Sequence, residues 1–194
     1  MPLKYLVILG SVRDNRNGLR VSKFILEKLS HLPHEFKLLD PLELNLPLVR
    51  TPLHFFKDPK EAPQILHSIN KDIVDSDAFL IVTPEYNQSI PPALSNLLNY
   101  FPPASYAHKP SAICCYSISM FGGIRCSIQL RGMLIELGSV SIPSLFSISK
   151  VTEALNEDGT ANDKTMDERC DKFLKQLEWY AMAIKEHKKT IPPS

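Results

Sequence analysis

The chain of 194 residues is long enough for one domain with a continuous core, and its 44% hydrophobic and 22% charged residues are the balance of a globular protein. The formal net charge of +1 gives no support to a broad nucleic-acid interface. No apolar run approaches the roughly 20 residues that a membrane-spanning helix requires, so no membrane partner is expected.

A reducing compartment is the expected environment of the four cysteines, which are Cys114, Cys115, Cys126 and Cys170. No pair has C-x-x-C spacing, and neighbours on a strand point to opposite faces, so Cys114 and Cys115 are poorly placed for a disulfide. The first residues, MPLKYLVILGSVR, lack the long apolar core of a secretory leader. These features predict a soluble, cytoplasmic protein with free thiols.

The first part of the chain alternates between apolar runs and a helical period. The run KYLVILG at 4–10 predicts a strand covered on both faces, and FKLLD at 36–40 predicts a second, shorter strand. A helical stripe lies between them, at Val21, Phe24, Ile25 and Leu29. The prolines of 41–63 exclude a long helix or a central strand, and so long a connection is often a functional cover.

The middle of the chain carries the clearest strand. Helical spacing returns at Ile65, Ile69 and Ile73. The run AFLIVTP at 78–84 predicts the third strand, and SAICCYSIS at 111–119 predicts the fourth. Between them, PPALSNLLNYF at 91–101 predicts a helix that begins with prolines.

The last part of the chain contains one more strand between two helices. A helix is predicted over 123–137, ended by a left-handed turn at Gly138, and VSIPSLFSI at 140–148 predicts the fifth strand. A turn-rich linker at 156–163 precedes the final helix, and the terminal KKTIPPS at 188–194 is expected to fray. The apolar seam of the final helix consists of Met166, Cys170, Phe173, Leu177, Tyr180 and Ile184.

Strict alternation of strands and helices predicts an α/β fold with a five-stranded parallel sheet and helices on both faces. In such sheets, ligands bind beyond the carboxyl ends of the strands, near the point where the strand order reverses. The segments that follow the first, third and fourth strands are therefore the candidate site.

The segment after the first strand combines positive charge with backbone freedom. Ser11 offers a hydroxyl, and Gly18 allows close approach of the backbone at the start of a helix, where amide N–H groups are unpaired. Three arginines add charge, namely Arg13, Arg16 and Arg20. These features favour a phosphate site, but a basic surface turn accounts for them equally well, and the glycines are too few for a Walker A loop or a dinucleotide fingerprint.

Two further segments offer small polar groups and close backbone approach. In TPEYNQSIPPAL at 83–94, Tyr86 presents an aromatic face, although an ordinary helix entry with Ser89 as N-cap explains the same residues. In SISMFGGIRC at 117–126, two glycines allow a ligand to come close, and an ordinary turn is an equal alternative. Because the topology places all three segments at one edge of the sheet, together they describe a mononucleotide pocket.

At these residues the sequence resembles the NADPH-dependent FMN reductases of the flavodoxin-like fold, which include quinone and azo-dye reductases. GSVR at 10–13 is similar to their G-S-x-R signature, and TPEYNQSIPPALSNLLNY at 83–100 is similar to their T-P-E-Y-N-x-S-x-P-x-x-L-K-N block. LNLPL at 44–48 and GGIRC at 122–126 resemble two further segments. The resemblance covers roughly residues 4–150 and implies a single three-layer, FMN-binding domain over residues 1–194.

The resemblance also implies roles for the residues of the three segments. The FMN phosphate would be held by Ser11, Arg13, Arg16, Asn17 and Gly18. The isoalloxazine would be lined, mostly by main chain, by Pro84, Glu85, Tyr86 and Asn87. Its other edge would be bordered by Ser117, Ser119, Met120, Phe121, Gly122 and Gly123. Arg125 is expected to orient its loop or to form an ion pair.

The chain departs from the family pattern at a few positions. Gln88 stands where glycine is common, and Ser95 stands where lysine is common. Met120 and Phe121 stand where members often have glycines. FMN binding is still expected despite these departures. They bear on which acceptors the protein can use.

The function implied by the resemblance is an FMN-dependent NAD(P)H oxidoreductase. It would pass hydride from NADPH or NADH through FMN N5 to quinones, azo compounds or flavins, in a two-electron, ping-pong reaction. The cofactor carries the chemistry, so no catalytic side chain and no metal ligand is assigned. A flavodoxin-type electron carrier and a regulatory, redox-sensing flavin-binding module are the alternatives, although a charge of +1 does not match the acidic surface usual for such carriers.

A homodimer or a dimer of dimers is expected. The helix 91–101 is expected to expose apolar residues, because it has more large ones than one face needs, namely Leu97, Leu98, Tyr100 and Phe101. The loop 45–60, with Leu53, Phe55 and Phe56, is also too apolar to lie exposed. A monomer whose loop folds over its own flavin is the alternative.

Overall fold

A computed structural model describes residues 1–193 and contains one parallel sheet. Its strands are β1 (Lys4–Leu9), β2 (Glu35–Leu39), β3 (Ala78–Pro84), β4 (Pro110–Tyr116) and β5 (Val140–Ile148). They lie side by side in the order β2-β1-β3-β4-β5, and each neighbouring pair is parallel. This arrangement confirms the predicted α/β fold, and it places the reversal of strand order between β1 and β3.

The helices follow the predicted alternation. They are α1 (Gly18–Ser30), α2 (Pro41–Leu44), α3 (Gln64–Asp75), α4 (Pro92–Asn99), α5 (Pro103–Tyr106), α6 (Ile124–Glu136), α7 (Val151–Ala154) and α8 (Lys164–Thr190). Between α2 and α3, the chain forms two 3-10 turns, Leu53–Phe55 and Pro59–Glu61, and no long helix or strand, as its prolines predict. The sequence did not predict the short helices α2, α5 and α7. Among the described residues, no helix is long and apolar enough to cross a membrane.

The core lies on both faces of the sheet because successive strand residues point to opposite sides. Tyr5, Val7 and Leu9 of β1 pack on the side covered by α1 and α8. Leu6 and Ile8 pack on the other side, which α3, α4 and α6 cover. Burial on both faces explains why the first and third strands read as continuous apolar runs.

Two predicted boundaries differ from the structure by three residues, and the other predicted bounds agree with it within two residues. β4 ends at Tyr116 instead of residue 119, because β5 ends opposite it at Ile148 and the chain then turns away. The tail expected to fray from residue 188 is helical through Thr190. Lys189 pairs with Glu186 there, and the backbone hydrogen bonding continues to the end of α8. The last residue of that tail, Ser194, lies outside the described residues.

The expectation that helix 91–101 exposes its apolar residues is wrong. Leu97, Leu98, Tyr100 and Phe101 are all buried within the single chain. The proline-rich segment folds over them, since the Tyr100 hydroxyl donates to the Pro47 carbonyl at 2.8 Å. Leu53 N–H also donates to the Tyr100 carbonyl at 2.8 Å. Of the apolar residues of that segment, Leu42, Leu48 and Phe55 remain exposed.

The four cysteines are all buried and free, as predicted. Cys114 and Cys115 occupy opposite faces of β4 and belong to different halves of the core. Burial raises the pKa of Cys115 to about 12 and that of Cys126 to about 11. Both thiols therefore stay protonated at neutral pH and contribute packing.

Candidate functional site

The three candidate segments meet at the carboxyl edge of the sheet. Ser11 Oγ, after β1, lies 2.6 Å from the Tyr86 hydroxyl, after β3. The Arg13 guanidinium lies 3.6 Å from the centre of the Tyr86 ring. Glu85, beside Tyr86, forms an ion pair with Arg125 of the segment after β4. Because Arg125 lies within the segment after β4, contacts between side chains join the three segments into one surface.

The first segment turns sharply because β1 and β3 approach closely at its start. Gly10 N–H donates to the Val82 carbonyl at 2.8 Å, and a Cβ at Gly10 would lie 2.8 Å from Thr83 Oγ1. Within residues 1–193, the amide N–H groups of residues 11–15 and 17 donate no hydrogen bond. The first turn of α1 contains no acidic residue, and Asn17 forms no side-chain cap. The segment therefore presents several free donors to an anion.

The arginines of this segment occupy three different environments. Arg13 is exposed and stacks on Tyr86. Arg16 is buried and forms a bidentate ion pair with Asp40, while its guanidinium also donates to the Ser11 carbonyl. Arg20 donates to the Leu155 carbonyl at 2.9 Å. Of the three, Arg13 has its guanidinium at the surface where the segments meet.

The second segment forms a two-residue turn. Tyr86 and Ser89 exchange backbone hydrogen bonds of 3.2 and 2.9 Å. Asn87 and Gln88 have left-handed φ angles of 51° and 61°, as the central residues of such a turn require. In the described chain, the N–H groups of these two residues have no partner, so they can address the edge of a heterocycle.

The Ser89 hydroxyl does not cap the following helix. It donates to Gln129 Oε1 of α6 at 2.7 Å, and the α4 N-cap position is Pro91, without a side-chain cap. The Gln129 amide in turn donates to the Gln88 carbonyl at 2.8 Å. The alternative that explained this segment as a Ser89 N-cap is therefore wrong, and α6 holds the turn in place.

Glu85 caps α6 with its side chain. Its carboxylate accepts the N–H groups of Arg125 and Cys126 at 3.0 and 3.3 Å and the Arg125 Nε at 2.8 Å. Desolvation alone would raise the pKa of Glu85, but these hydrogen bonds and the Arg125 charge lower it below its ordinary value. The expectation that Arg125 forms an ion pair is confirmed. Since the Glu85 carboxylate is fully engaged, only its main chain is free for a ligand.

The third segment is fastened to the end of β5. Ser147 Oγ donates to the Gly122 carbonyl at 3.0 Å, and Ser149 Oγ donates to the Met120 carbonyl at 2.8 Å. Ser117 and Ser119 face each other, with hydroxyl oxygens 3.0 Å apart. These bonds hold the backbone of the segment in one conformation.

Protein packing accounts for the glycines of the site. Gly122 and Gly123 have φ angles of 58° and 80°, and a Cβ at Gly123 would lie 3.0 Å from the Tyr116 backbone. A Cβ at Gly18 would lie 2.7 Å from the Tyr116 hydroxyl. The missing side chains of these three glycines therefore face protein atoms, and a ligand is not needed to explain them.

The outer surface of the third segment is apolar. Ile118, Met120 and Phe121 have exposed fractions of 73%, 71% and 55%. The Arg125 guanidinium lies 4.9 Å from the centre of the Phe121 ring, so the ion pair with Glu85 also supports this ring. The result is an apolar rim beside the polar turn of the second segment.

Sequence reasoning missed several residues that build the site. They are Asp40, Thr83, Tyr116, Ile118 and Gln129. Asp40 could have been found, because it follows the second strand and the same rule about carboxyl ends applies to it. Tyr116 and Gln129 could not, since their contacts with Gly18 and Gln88 depend on how α1 and α6 pack on the sheet.

Comparison with known proteins places this site in a family. The sequence model of the family described as "NADPH-dependent FMN reductase" matches residues 3–153. The 2-hydroxy-1,4-benzoquinone reductase of Burkholderia sp is 27% identical over 197 residues, covering 97% of this chain and 100% of that protein. A quinone reductase of Pseudomonas putida KT2440 is 26% identical over 166 residues, covering 82% of this chain and 84% of that protein.

A solved structure agrees with the sequence relatives. FerB, a flavoenzyme NAD(P)H:(acceptor) oxidoreductase from Paracoccus denitrificans, superposes with a TM-score of 0.75 at 26% identity, over 95% of this chain and 98% of that one. All three segments of the site lie inside the matched residues 3–153. The chain belongs to the NADPH-dependent FMN reductases, flavodoxin-like oxidoreductases whose cofactors are FMN and NAD(P)H.

Proposed function

We propose that this protein transfers two electrons from NAD(P)H to quinones or related planar molecules, with FMN bound across the three segments. One observation carries the proposal. The first segment, which offers free amides and Arg13 to an anion, contacts the Tyr86–Ser89 turn, whose central amides are also free, at one edge of the sheet. When bound, FMN supplies a ring that takes hydride at N5 and returns two electrons to an acceptor. The chain supplies binding and orientation.

The residues at this edge fit the two ends of FMN. We assign its phosphate to the segment with Ser11, Arg13, Arg16, Asn17 and Gly18, where free amides and Arg13 supply positive potential. The ring is assigned to Pro84, Glu85, Tyr86 and Asn87 on one side. The residues assigned to the other side are Ser117, Ser119, Met120, Phe121, Gly122 and Gly123.

The buried tyrosine and thiols at this edge are not set up to exchange protons at neutral pH. Burial raises the pKa of Tyr116, and the buried thiols of Cys115 and Cys126 stay protonated. The Tyr86 hydroxyl shares a hydrogen bond with Ser11 Oγ. The protein therefore acts by holding the reactants and excluding water at the rim.

We propose that NAD(P)H and the acceptor use the same surface in turn, which makes the reaction ping-pong. The rim of Met120 and Phe121 is an exposed apolar surface of the kind that packs against a nicotinamide or a quinone ring. A hydroxybenzoquinone is the substrate named for one relative, which supports quinones as acceptors here. Azo compounds and free flavins are planar enough to use the same rim.

An absorbance experiment tests the proposal. The purified protein is expected to be yellow or to take up FMN, to bleach anaerobically with NADPH or NADH, and to recover its colour on addition of 1,4-benzoquinone. Rapid steady-state turnover supports a reductase over an electron carrier. Slow turnover with redox-dependent binding of another protein supports the regulatory alternative. Failure to bind FMN would refute all three.

We also propose that the protein is a cytoplasmic homodimer or dimer of dimers. Ile124 and Ile128 on α6 are exposed next to the apolar rim, and together they form an apolar surface that a second copy could cover. The buried free thiols suit a reducing compartment. Light scattering on the purified protein tests the assembly, and a strict monomer would remove that part of the proposal.

A further inference from the structure

Arg16 and Asp40 form a buried ion pair beneath the first segment, and we propose that Arg16 is a positioning residue and not a phosphate ligand. The pair holds the Ser11 carbonyl, and thereby directs the amides that follow it toward the phosphate, while Arg13 supplies the charge. This inference rests on the proposed FMN site. It assigns Arg13 and Arg16, which lie three residues apart, to different tasks.

Arg16 is enclosed by protein and hydrogen-bonded to it. Its side chain is 4% exposed and that of Asp40 is 9% exposed. Arg16 Nη1 donates to Asp40 Oδ1 at 2.6 Å and to the Ser11 carbonyl, and Nη2 donates to Asp40 Oδ2. Arg16 Nε is buried without a partner, so a ligand cannot reach it in this arrangement. A planar guanidinium suits this task because it can hold both carboxylate oxygens and a carbonyl at once.

Asp40 is occupied just as fully. Besides both Arg16 nitrogens, it accepts the Leu42 N–H at 3.0 Å and so caps α2. The pair therefore ties the segment after β1 to the end of β2, the neighbouring strand. Because Asp40 follows β2, the position of the first segment depends on β2 as well as on β1.

Arg16 and Arg13 differ in whether an acidic side chain balances their positive charge. The positive charge of Arg16 is balanced by a carboxylate at contact distance, so little of it extends to a ligand. Arg13 is exposed and has no acidic partner within residues 1–193. A phosphate near the segment would therefore interact mainly with Arg13 and with the free amides of residues 11–15 and 17.

Substitution of Asp40 distinguishes positioning from direct contact, because the two roles predict opposite signs. If Arg16 touched the phosphate, Asp40→Asn would free its positive charge and tighten FMN binding. If Arg16 positions the segment, Asp40→Asn releases the Ser11 carbonyl and weakens FMN binding, by about tenfold if one charge-assisted hydrogen bond is lost. Riboflavin lacks the phosphate, so its affinity should change less than about twofold.

The experiment measures the dissociation constants of FMN and riboflavin by flavin fluorescence, using the full-length protein freed of flavin. The variants are Asp40→Asn, Asp40→Glu and Arg16→Lys. The last two keep the charges but lose the bidentate geometry, so both are expected to weaken FMN and to spare riboflavin. Asp72→Asn is the matched control, because it removes a carboxylate from the surface pair with Lys37. Thermal unfolding identifies any variant that does not fold.

Weaker FMN binding with unchanged riboflavin binding in the folded Asp40 and Arg16 variants supports the inference. Tighter or unchanged FMN binding in Asp40→Asn, or full FMN affinity in Arg16→Lys, would overturn it. Loss of both flavins together would also overturn it, since the effect would not be local to the phosphate segment. An unmodified protein that binds no FMN would instead refute the proposed function, before any variant is compared.

Discussion

The guanidinium of Arg13 lies 3.6 Å from the centre of the Tyr86 ring, so a cation from the segment after β1 rests on an aromatic residue from the segment after β3. The Tyr86 hydroxyl lies 2.6 Å from Ser11 Oγ, so Tyr86 has a second contact with the segment after β1. Phosphate-binding and ring-binding residues of the proposed FMN site are thereby in direct contact. We therefore expect a substitution among the phosphate-binding residues to alter the position of the ring-binding residues, and the reverse.

Arg13→Ala is expected to weaken FMN binding about tenfold or more, because it removes the exposed cation of the phosphate segment. Riboflavin affinity should change little, and the salt dependence of FMN binding should fall. Fluorescence titration at two salt concentrations measures both effects. Arg50→Ala, a change at an exposed arginine outside the three segments, is the control. Unchanged FMN affinity would contradict the assignment of the phosphate to this segment.

Gly18→Ala is expected to destabilise the fold by about 1–3 kcal/mol, because its Cβ would lie 2.7 Å from the Tyr116 hydroxyl. Tyr116→Phe removes that oxygen, and the next nearest atom, Tyr116 Cζ, is at an acceptable 3.6 Å. The double variant should therefore recover most of the stability. Urea unfolding of the single and double variants measures the coupling. Independent, additive effects of the two changes would show that the close contact is not the cause.

Gln88 has a left-handed backbone, with a φ of 61°, in a turn that glycine adopts without strain. We expect Gln88→Gly to match or exceed the stability of the unmodified protein and Gln88→Val to fall below it by about 1 kcal/mol or more. The carbonyl of residue 88 accepts from Gln129 whatever its side chain, so the turn should persist. Thermal unfolding gives the order of the three proteins. Equal stability of the valine and glycine variants would argue against backbone strain here.

Glu85→Gln is expected to cost about 1–3 kcal/mol at neutral pH, because the buried carboxylate caps α6 and pairs with Arg125. The pKa of Glu85 is lowered in the folded protein, so its contribution is complete above the ordinary value of 4.5 and is lost as the pH falls through the lowered pKa. The stability gap between the unmodified protein and the variant should therefore close in acid.

Urea unfolding at pH 7 and at lower pH measures this gap. Glu168→Gln, at an exposed position on α8, serves as the control and should show no gap at either pH. A gap that stays constant down to strongly acidic pH would mean that the Glu85 charge does not stabilise the fold. Loss of FMN affinity in Glu85→Gln would further show that the α6 cap also holds the ring-binding segment.

The order of the strands and helices could be predicted from the sequence, because the local spacing of apolar residues specifies each element. Buried parallel strands such as 78–84 must be apolar throughout, and β5 has the bounds that its sequence predicted, at 140–148. The three site segments were found for the same reason, since parallel strands bring their carboxyl ends to one edge. The family motifs lie in those segments.

Only the tertiary structure decided what each charged or apolar side chain does there. Arg13 and Arg16 look equivalent in sequence, but the packing of β2 beside β1 brings Asp40 to Arg16 and leaves Arg13 exposed. The apolar residues of 97–101 were likewise covered by a segment that no local pattern could place over them. Local spacing determines which faces are apolar and which segments are loops. Contacts between residues distant in sequence determine which charges are neutralised and which surfaces remain free.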